Sequence, residues 1–158
     1  MERNYPPLTD VIPCPKTVAT LLDLYTGHFG EVNAILQYIN QYYIINSFDK
    51  HIANEFYGVA RDEQEHKHLI GNAIVAFGGI TGYANGQNSP NNFCYINEDI
   101  SLIKMLDANI QAEHGAIRAY EHALTIVNNH SLRQILMEIR DDELDHLAIF
   151  TQIKNTMS

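Results

Sequence analysis

The five prolines of this sequence are confined to two stretches, an N-terminal arm and a loop around residue 90. Because proline breaks helix interiors, the long proline-free stretches are free to be helical, and apolar residues recur along them at helical spacing. We predict four helical segments: residues 17–45, 49–77, 97–128 and 131–154. Ser47 and Ser131 are the expected N-caps of the second and fourth segments.

The links between these segments predict one all-α fold. Two links are short, whereas residues 80–97 form a long link rich in Gly, Asn and Pro. Short links join antiparallel neighbours, so the long one is a crossover between helices 2 and 3, which is the connectivity of a ferritin-like four-helix bundle. The 158 residues suit a single domain. We expect an N-terminal arm over 1–16 and a bundle domain over 17–158.

The charge balance restricts the possible partners. Ten Lys and Arg against nineteen Asp and Glu give a net charge of −9, which argues against nucleic acid and anionic membranes and favours cations. No stretch approaches the about 20 apolar residues of a membrane span, and the first 16 residues lack the apolar core of a signal peptide. We therefore expect a cytoplasmic protein. Cys14 and Cys94, the only cysteines, provide neither a disulfide framework nor a four-thiolate metal site.

Each predicted helix carries one glutamate within its apolar stripe. Steps of three, four and seven residues from these glutamates meet mostly apolar side chains, and the four are Glu31, Glu63, Glu113 and Glu143. A carboxylate buried in an apolar stripe is costly or becomes neutral, and four of them facing one core repel each other. The sequence thus predicts positive charge among them, with protons bound to all four carboxylates when metal is absent.

Two divalent cations would balance the four negative charges, and two histidines add neutral ligands. In Glu63-x-x-His66 and Glu143-x-x-His146 the spacing places both side chains on one helix face. Two helices that each supply a glutamate and two that each supply Glu-x-x-His form the ligand set of di-iron and di-manganese carboxylate bundles.

Other acidic residues with similar spacing have polar surroundings. Glu65-x-x-His68 repeats the motif, but the same helical steps from Glu65 meet mainly charged and polar residues. Glu121 and Glu138 have polar neighbours in the same way. We predict that all of these lie on solvated helix faces.

An internal repeat supports the predicted site. The pattern E-x-x-A-I-x-x-Y starts at Glu31 and again at Glu113, and D-E-x-x-H starts at Asp62 and again at Asp142. The repeat predicts two helix hairpins related by a pseudo-twofold axis, each of which supplies one metal position.

The repeat also suggests partners for the ligands. Asp62 and Asp142 each precede a glutamate of the predicted site, so each is placed to accept the free ring N–H of the opposite histidine. Tyr38 and Tyr120, the last residues of the first repeated pattern, are placed to donate a hydrogen bond to a carboxylate. The alternatives are surface aspartates and core tyrosines without such contacts.

At these residues the sequence resembles the ferritin-like superfamily, and bacterioferritin most of all. The stretch from Glu31 to Tyr38 is similar to the first-helix motif of that family, and both D-E-x-x-H motifs match its second and fourth helices. The stretch from Met105 to Glu113 resembles its third helix, and the resemblance extends over about residues 20–150.

The resemblance implies the roles of particular residues. It implies that six residues bind the metals and form the catalytic site: Glu31, Glu63, His66, Glu113, Glu143 and His146. Among them, Glu63 and Glu143 would bridge the two ions. One metal position would be completed by Glu31 and His66, and the other by Glu113 and His146.

At some positions the sequence differs from the related families, and these differences argue against particular cofactors and activities. Gln64 stands where bacterioferritin has its haem-ligating methionine, so we expect no haem. Rubrerythrins carry a further glutamate where this chain has Ala116, and the chain lacks Cys-x-x-Cys pairs, which argues against a peroxidase of the full rubrerythrin type. Manganese catalases share the order of the ligands, and the segment from Gly30 to Tyr42 resembles theirs.

These observations lead us to expect a redox enzyme with two Fe ions, or two Mn ions, that acts on O2 or H2O2 and takes electrons from an unknown donor. The alternatives are a manganese catalase that dismutes H2O2 and an iron-storage protein; a metal-free bundle would leave four glutamates uncompensated. Only twelve residues follow His146, so we expect no fifth helix and no 24-subunit shell. A homodimer or another small homo-oligomer is the expected assembly.

Overall fold

The computed structural model describes residues 4–157, and within them it contains five α-helices and no extended strand. The helices are α1 (Pro15–Thr26), α2 (Glu31–Ile45), α3 (Lys50–Ala76), α4 (Leu102–Ile126) and α5 (His130–Thr156). Two hairpins, α2 with α3 and α4 with α5, pack together, while α1 lies against α3 and α4. Since α1 and α2 share the first bundle position and residues 77–101 form the crossover, the predicted all-α ferritin-like four-helix bundle is confirmed.

The predicted division into an arm and a bundle domain stays a prediction. Residues 1–3 of the arm and residue 158 of the bundle lie outside the described residues. In the described part of the arm, Tyr5, Leu8 and Val11 pack against the bundle's apolar core. No helix in residues 4–157 is long and apolar enough to cross a membrane.

The first predicted helix is wrong in one respect, because it is broken at residues 27–30. A Cβ atom on Gly27 would lie 2.3 Å from the carbonyl oxygen of Asp23, and one on Gly30 would lie 2.9 Å from backbone atoms of α1. The side-chain Nδ2 atom of Asn33 donates hydrogen bonds to the carbonyl oxygens of Gly27 and of the residue after it. Two glycines thus permit a tight connection, and an asparagine satisfies the backbone groups that the break exposes.

The other helix starts also differ from those expected. The N-cap of α3 is Asp49, which accepts hydrogen bonds from two backbone N–H groups, and the N-cap of α5 is Asn129. Both lie within two residues of the predicted serines. Helix α4 begins at Leu102 rather than near Asn97, because Asn97 accepts a hydrogen bond from the N–H of Asp99 and donates its own N–H to a side chain of α2.

Two apolar clusters fill the bundle and leave a layer between them. One cluster joins α1 to the last turns of α3, the second half of α4 and the first half of α5. The other joins α2 to the first half of α3, the start of α4 and Phe150 of α5. The middle turns of α3, α4 and α5 therefore face a layer that has a hydrophobic core on each side.

The crossover is tied to the break in the first bundle position. The side chain of Asn91 donates hydrogen bonds to Asn33 Oδ1 at 2.8 Å and to Thr26 Oγ1 at 3.2 Å. The N–H of Gly86 donates to Asp23 Oδ1 at 2.9 Å. These contacts hold the long loop over the end of α1 and the start of α2.

Two alanine substitutions test the account of the break. Gly27→Ala should lower the free energy of unfolding by about 1–3 kcal/mol, because the new Cβ meets backbone atoms. The matched control, Gly58→Ala in α3, places its Cβ in open space and should raise stability by about 0.5–1 kcal/mol. Urea denaturation measures both values. Equal effects of the two substitutions would contradict the account.

Candidate metal centre

The six predicted site residues all lie in the layer between the two apolar clusters. Glu31 opens α2, Glu113 lies in the middle of α4, and each of α3 and α5 supplies its Glu-x-x-His pair. Each of the six side chains belongs to a residue that is at most 3% exposed. By contrast, Glu65, Glu121 and Glu138 are exposed, as predicted from their polar neighbours.

The cluster contains two overlapping sets of candidate ligand atoms. In each set, one oxygen or nitrogen from every residue lies within 4.8 Å of the others. The sets are Glu31, Glu63, His66 and Glu143, and Glu63, Glu113, Glu143 and His146. Because Glu63 and Glu143 belong to both sets, the arrangement has the form of two cation positions that share two carboxylates.

The contacts of the histidine rings test whether these residues fit a metal pair. His66 Nδ1 lies 3.1 Å from Glu63 Oε2, 3.1 Å from Glu143 Oε1 and 3.7 Å from Glu31 Oε2. A ring nitrogen carries at most one proton, so it cannot serve three carboxylates by hydrogen bonding. Glu63 Oε1 and Glu143 Oε1 are buried without a well-aligned hydrogen bond, although each lies 3.1 Å from the Nδ1 atom of a histidine. Buried carboxylate oxygens that face imidazole nitrogens are a set of ligand atoms that fits divalent iron or manganese.

The two outer glutamates differ electrostatically from the two shared ones. Burial, followed by repulsion from Glu63, raises the pKa of Glu31 well above its usual value. Burial, followed by repulsion from Glu143, does the same to the pKa of Glu113. When no cation is present, each outer carboxyl group therefore keeps its proton to a higher pH than an ordinary glutamate does.

The two shared glutamates stay ionised in the metal-free protein. Burial opposes their charge, but the histidines His66 and His146 lower the pKa of Glu63 and of Glu143. Burial likewise opposes charge on the histidines, yet the surrounding carboxylates raise the pKa of both rings well above the usual value. The expectation that all four carboxylates bind protons is therefore wrong, because the histidines provide positive charge to two of them.

One of the two predicted aspartate hydrogen bonds is present, and the other aspartate lies near its histidine beyond hydrogen-bond distance. His66 Nε2 lies 3.2 Å from Asp142 Oδ2, which is hydrogen-bond distance. His146 Nε2 lies 3.7 Å from Asp62 Oδ2. In both halves an aspartate next to Nε2 favours the tautomer that leaves Nδ1 facing the carboxylate cluster.

The predicted tyrosine contacts are also present, and they cross between α2 and α4. Tyr38 on α2 donates a hydrogen bond to Glu113 Oε1 on α4 at 2.5 Å. Tyr120 on α4 donates one to Glu31 Oε1 on α2. Each hydroxyl comes from one apolar cluster and fixes the orientation of an outer carboxylate.

A cavity of about 360 Å³, which sequence reasoning missed, leads from the surface to the carboxylates. Its outer end is lined by three stacked aromatic rings. The centroid of the His28 ring lies 3.6 Å from that of Tyr95 and 4.1 Å from that of Phe29. A Cβ on Gly115 of α4 would lie 2.3 Å from the ring of Phe29, so this glycine makes room for the stack. The one feature of the sequence that pointed to this cavity is the glycine near Glu113 inside a predicted helix.

A chain of buried amides beside the site was missed as well. Gln37 Nε2 donates to Asn109 Oδ1 at 2.9 Å, and Asn109 Nδ2 donates to Gln41 Oε1 at 2.7 Å. The N–H of Asn97 donates to Gln37 Oε1 at 2.7 Å. This chain ties the crossover, α2 and α4 together next to the cavity, and the polar Asn109 in the stripe of Glu113 was its only signal.

Comparisons with known proteins agree with this architecture. The family model described as rubrerythrin matches residues 24–154. The crystal structure of KatB, a manganese catalase from Anabaena PCC7120, has 22% sequence identity and a TM-score of 0.90 over 99% of this chain and 80% of that one. The bacterioferritin of Desulfovibrio desulfuricans, whose diiron site was examined in several catalytic states, has 20% identity and a TM-score of 0.76 over 89% and 78%. A search of curated protein sequences found no significant match.

These comparisons confirm the resemblance that the sequence suggested. At such low identity the two solved structures support the ferritin-like fold alone, and they do so over most of each chain. The family model is more specific, since it extends from the end of α1 to the last turn of α5 and so contains all six candidate ligands. The chain belongs to the rubrerythrin family.

Proposed function

We propose that this protein is a redox enzyme that holds two metal ions, in the first place iron, and acts on O2 or H2O2. The proposed ligands and catalytic residues are Glu31, Glu63, His66, Glu113, Glu143 and His146. The observation that carries the proposal is the pair of overlapping ligand sets that share Glu63 and Glu143. Membership of the rubrerythrin family and the likeness to two ferritin-like metalloproteins support it.

The charge of the site fits two divalent ions. Four glutamates supply four negative charges, and the two histidines are neutral when their Nδ1 atoms act as ligands. When bound, a pair of redox-active ions supplies one electron each, which is the two-electron change that reduction of peroxide to water requires. Glu63 and Glu143, which belong to both ligand sets, would help to hold both ions.

The chain's own residues prepare the site for a small oxidant. The cavity reaches all four glutamates, while apolar side chains above and below the layer exclude bulk water. Tyr38 and Tyr120 hold protons on hydroxyl oxygens that already touch Glu113 and Glu31. The outer carboxylates are thus held in place before a substrate arrives, which lowers the cost of reorganisation.

A manganese catalase is the second candidate, and one observation favours it. KatB, described as a manganese catalase, matches nearly the whole of this chain with a TM-score of 0.90. The same oxygen and nitrogen donors accept Fe or Mn, so the ligand set is compatible with both. Three expectations stay predictions: that the protein binds no haem, that it forms a small homo-oligomer, and that it takes electrons from a separate donor.

Metal content tests the proposed ligands. The wild-type protein, loaded with Fe2+ under anaerobic conditions and desalted, should retain about two ions per chain. Glu63→Ala should retain almost none, because both positions lose a shared carboxylate. The matched control is Glu65→Ala, which removes an exposed carboxylate from the same helix and should retain the full amount. Elemental analysis decides, and an equal loss of metal in the two variants would show that the ligand assignment is wrong.

Metal binding should release protons and weaken as the solution becomes more acidic. The metal-free protein binds protons at four groups with raised pKa values, namely Glu31, Glu113, His66 and His146. An incoming cation must displace these protons, so a lower pH favours the metal-free form. Calorimetric Mn2+ titrations in buffers of different ionisation enthalpy measure the release. Heats that do not vary with the buffer, together with an affinity that does not vary with pH, would contradict this assignment.

The products formed from H2O2 distinguish the two candidate functions. A di-iron peroxidase reduces H2O2 to two H2O with two electrons and two protons, so it needs a reductant and evolves no O2. A manganese catalase converts two H2O2 into O2 and two H2O without a reductant. We expect reductant-dependent loss of peroxide in the Fe-loaded protein, measured together with O2 at an electrode. If neither metal form exceeds Glu63→Ala in removing peroxide or consuming O2, the proposal of redox catalysis is wrong.

A further inference from the structure

We propose that the N-terminal arm is part of the metal centre, and that Tyr5 acts as a positioning residue which makes the two metal positions unequal. The inference rests on the proposed function, in which His66 and His146 each bind one of two ions. It concerns a residue of the N-terminal arm, which precedes the first helix of the bundle. Neither the ligand motifs nor the internal repeat predicts it.

Tyr5 contacts the candidate ligand His66 and the aspartate next to the Nε2 atom of that ring. Its hydroxyl donates a hydrogen bond to Asp142 Oδ2 at 2.5 Å, and the same oxygen lies 3.2 Å from His66 Nε2. The ring of Tyr5 also meets the ring of His66 edge-on, with 6.3 Å between the centroids. Asp142 and His66 are both buried. Tyr5 therefore contacts a ligand histidine directly and also holds the carboxylate that orients it.

The other half of the site has a looser arrangement at the corresponding position. Asp62 stands where the repeat places Asp142, but its side chain is 50% exposed and lies 3.7 Å from His146 Nε2. The tyrosines that contact the outer glutamates are matched in the two halves. In the part of the chain that the structure describes, the contact from Tyr5 to Asp142 thus distinguishes the aspartate partners of the two histidines.

The arm is fixed to the bundle by contacts that do not involve the hydroxyl of Tyr5. The N–H of Thr9 donates to Ser131 Oγ at 2.8 Å, and this hydroxyl donates back to the carbonyl of Thr9 at 3.0 Å. The N–H of Cys14 donates to the carbonyl of Phe77 at 3.1 Å. Leu8 packs on the apolar cluster of α1. Removal of the hydroxyl should therefore leave the arm in place.

The physical consequence is tighter control of one imidazole. An acceptor at Nε2 selects the tautomer whose Nδ1 lone pair faces the metal, and loss of such a partner typically lowers metal affinity by about 10–100-fold. Asp142, held by the hydroxyl of Tyr5, has less freedom to rotate away than the half-exposed Asp62. The position of Glu31 and His66 should therefore bind its ion more tightly than the position of Glu113 and His146.

Stepwise titration of the metal-free protein with Co2+ tests the inference, because the visible absorption of Co2+ reports its coordination. Wild-type protein should bind two ions with different affinities. Tyr5→Phe should weaken the tighter step by about tenfold, the lower end of the range for outer partners, and change the spectrum of the first ion. Asp142→Asn should weaken the same step by about 10–100-fold, and Asp62→Asn should have a smaller effect on the other step.

Two further variants separate positioning from general packing. Leu8→Ala removes apolar packing of the arm but keeps the hydrogen bonds of Thr9 to Ser131 and of Tyr5 to Asp142, so it should leave both affinities within about twofold of wild type. Tyr5→Phe combined with Asp142→Asn should be no weaker than Asp142→Asn alone, because the hydroxyl acts through that carboxylate. Unchanged affinities and spectra in Tyr5→Phe, or the same changes in Leu8→Ala, would overturn the inference while leaving the proposed function intact. Failure of wild-type protein to bind two ions would overturn both.

Discussion

Repulsion among four buried carboxylates is the constraint on which the rest of this structure depends. Glu31, Glu63, Glu113 and Glu143 lie within one layer of the bundle, and each is almost fully buried. The metal-free protein offsets the repulsion with protons on the two outer glutamates and with positive charge on the histidines beside the two shared ones. Each of these protons occupies a position that a cation can take.

The fold positions this charge by surrounding the polar layer with two apolar clusters. Tyrosines from the clusters contact the outer carboxylates, so the hydrophobic cores also orient the polar groups. The break before α2 has a role in the same arrangement. Because Glu31 is the first residue of α2, the helix dipole favours its ionised form and so opposes the rise in its pKa that burial and Glu63 cause.

Sequence reasoning reached those features that depend on spacing within one helix or on the repeat. It predicted that Glu63 and His66 share a face, and it predicted the contacts of Asp142 and Tyr120. It did not reach Tyr5 or Tyr95, because their places depend on how an arm and a crossover fold back over the bundle. The break before Glu31 was missed because apolar spacing continues through residues 27–30, where glycine contacts with the backbone, rather than periodicity, decide the structure.

Anomalous X-ray diffraction from crystals of the metal-loaded protein, recorded at the Fe and Mn absorption edges, tests the central claim most directly. The account predicts two anomalous peaks between Glu63 and Glu143, one next to the Nδ1 atom of His66 and the other next to that of His146. The edge at which the peaks appear identifies the metal. A single peak, peaks outside this layer, or none in fully loaded crystals would contradict the account.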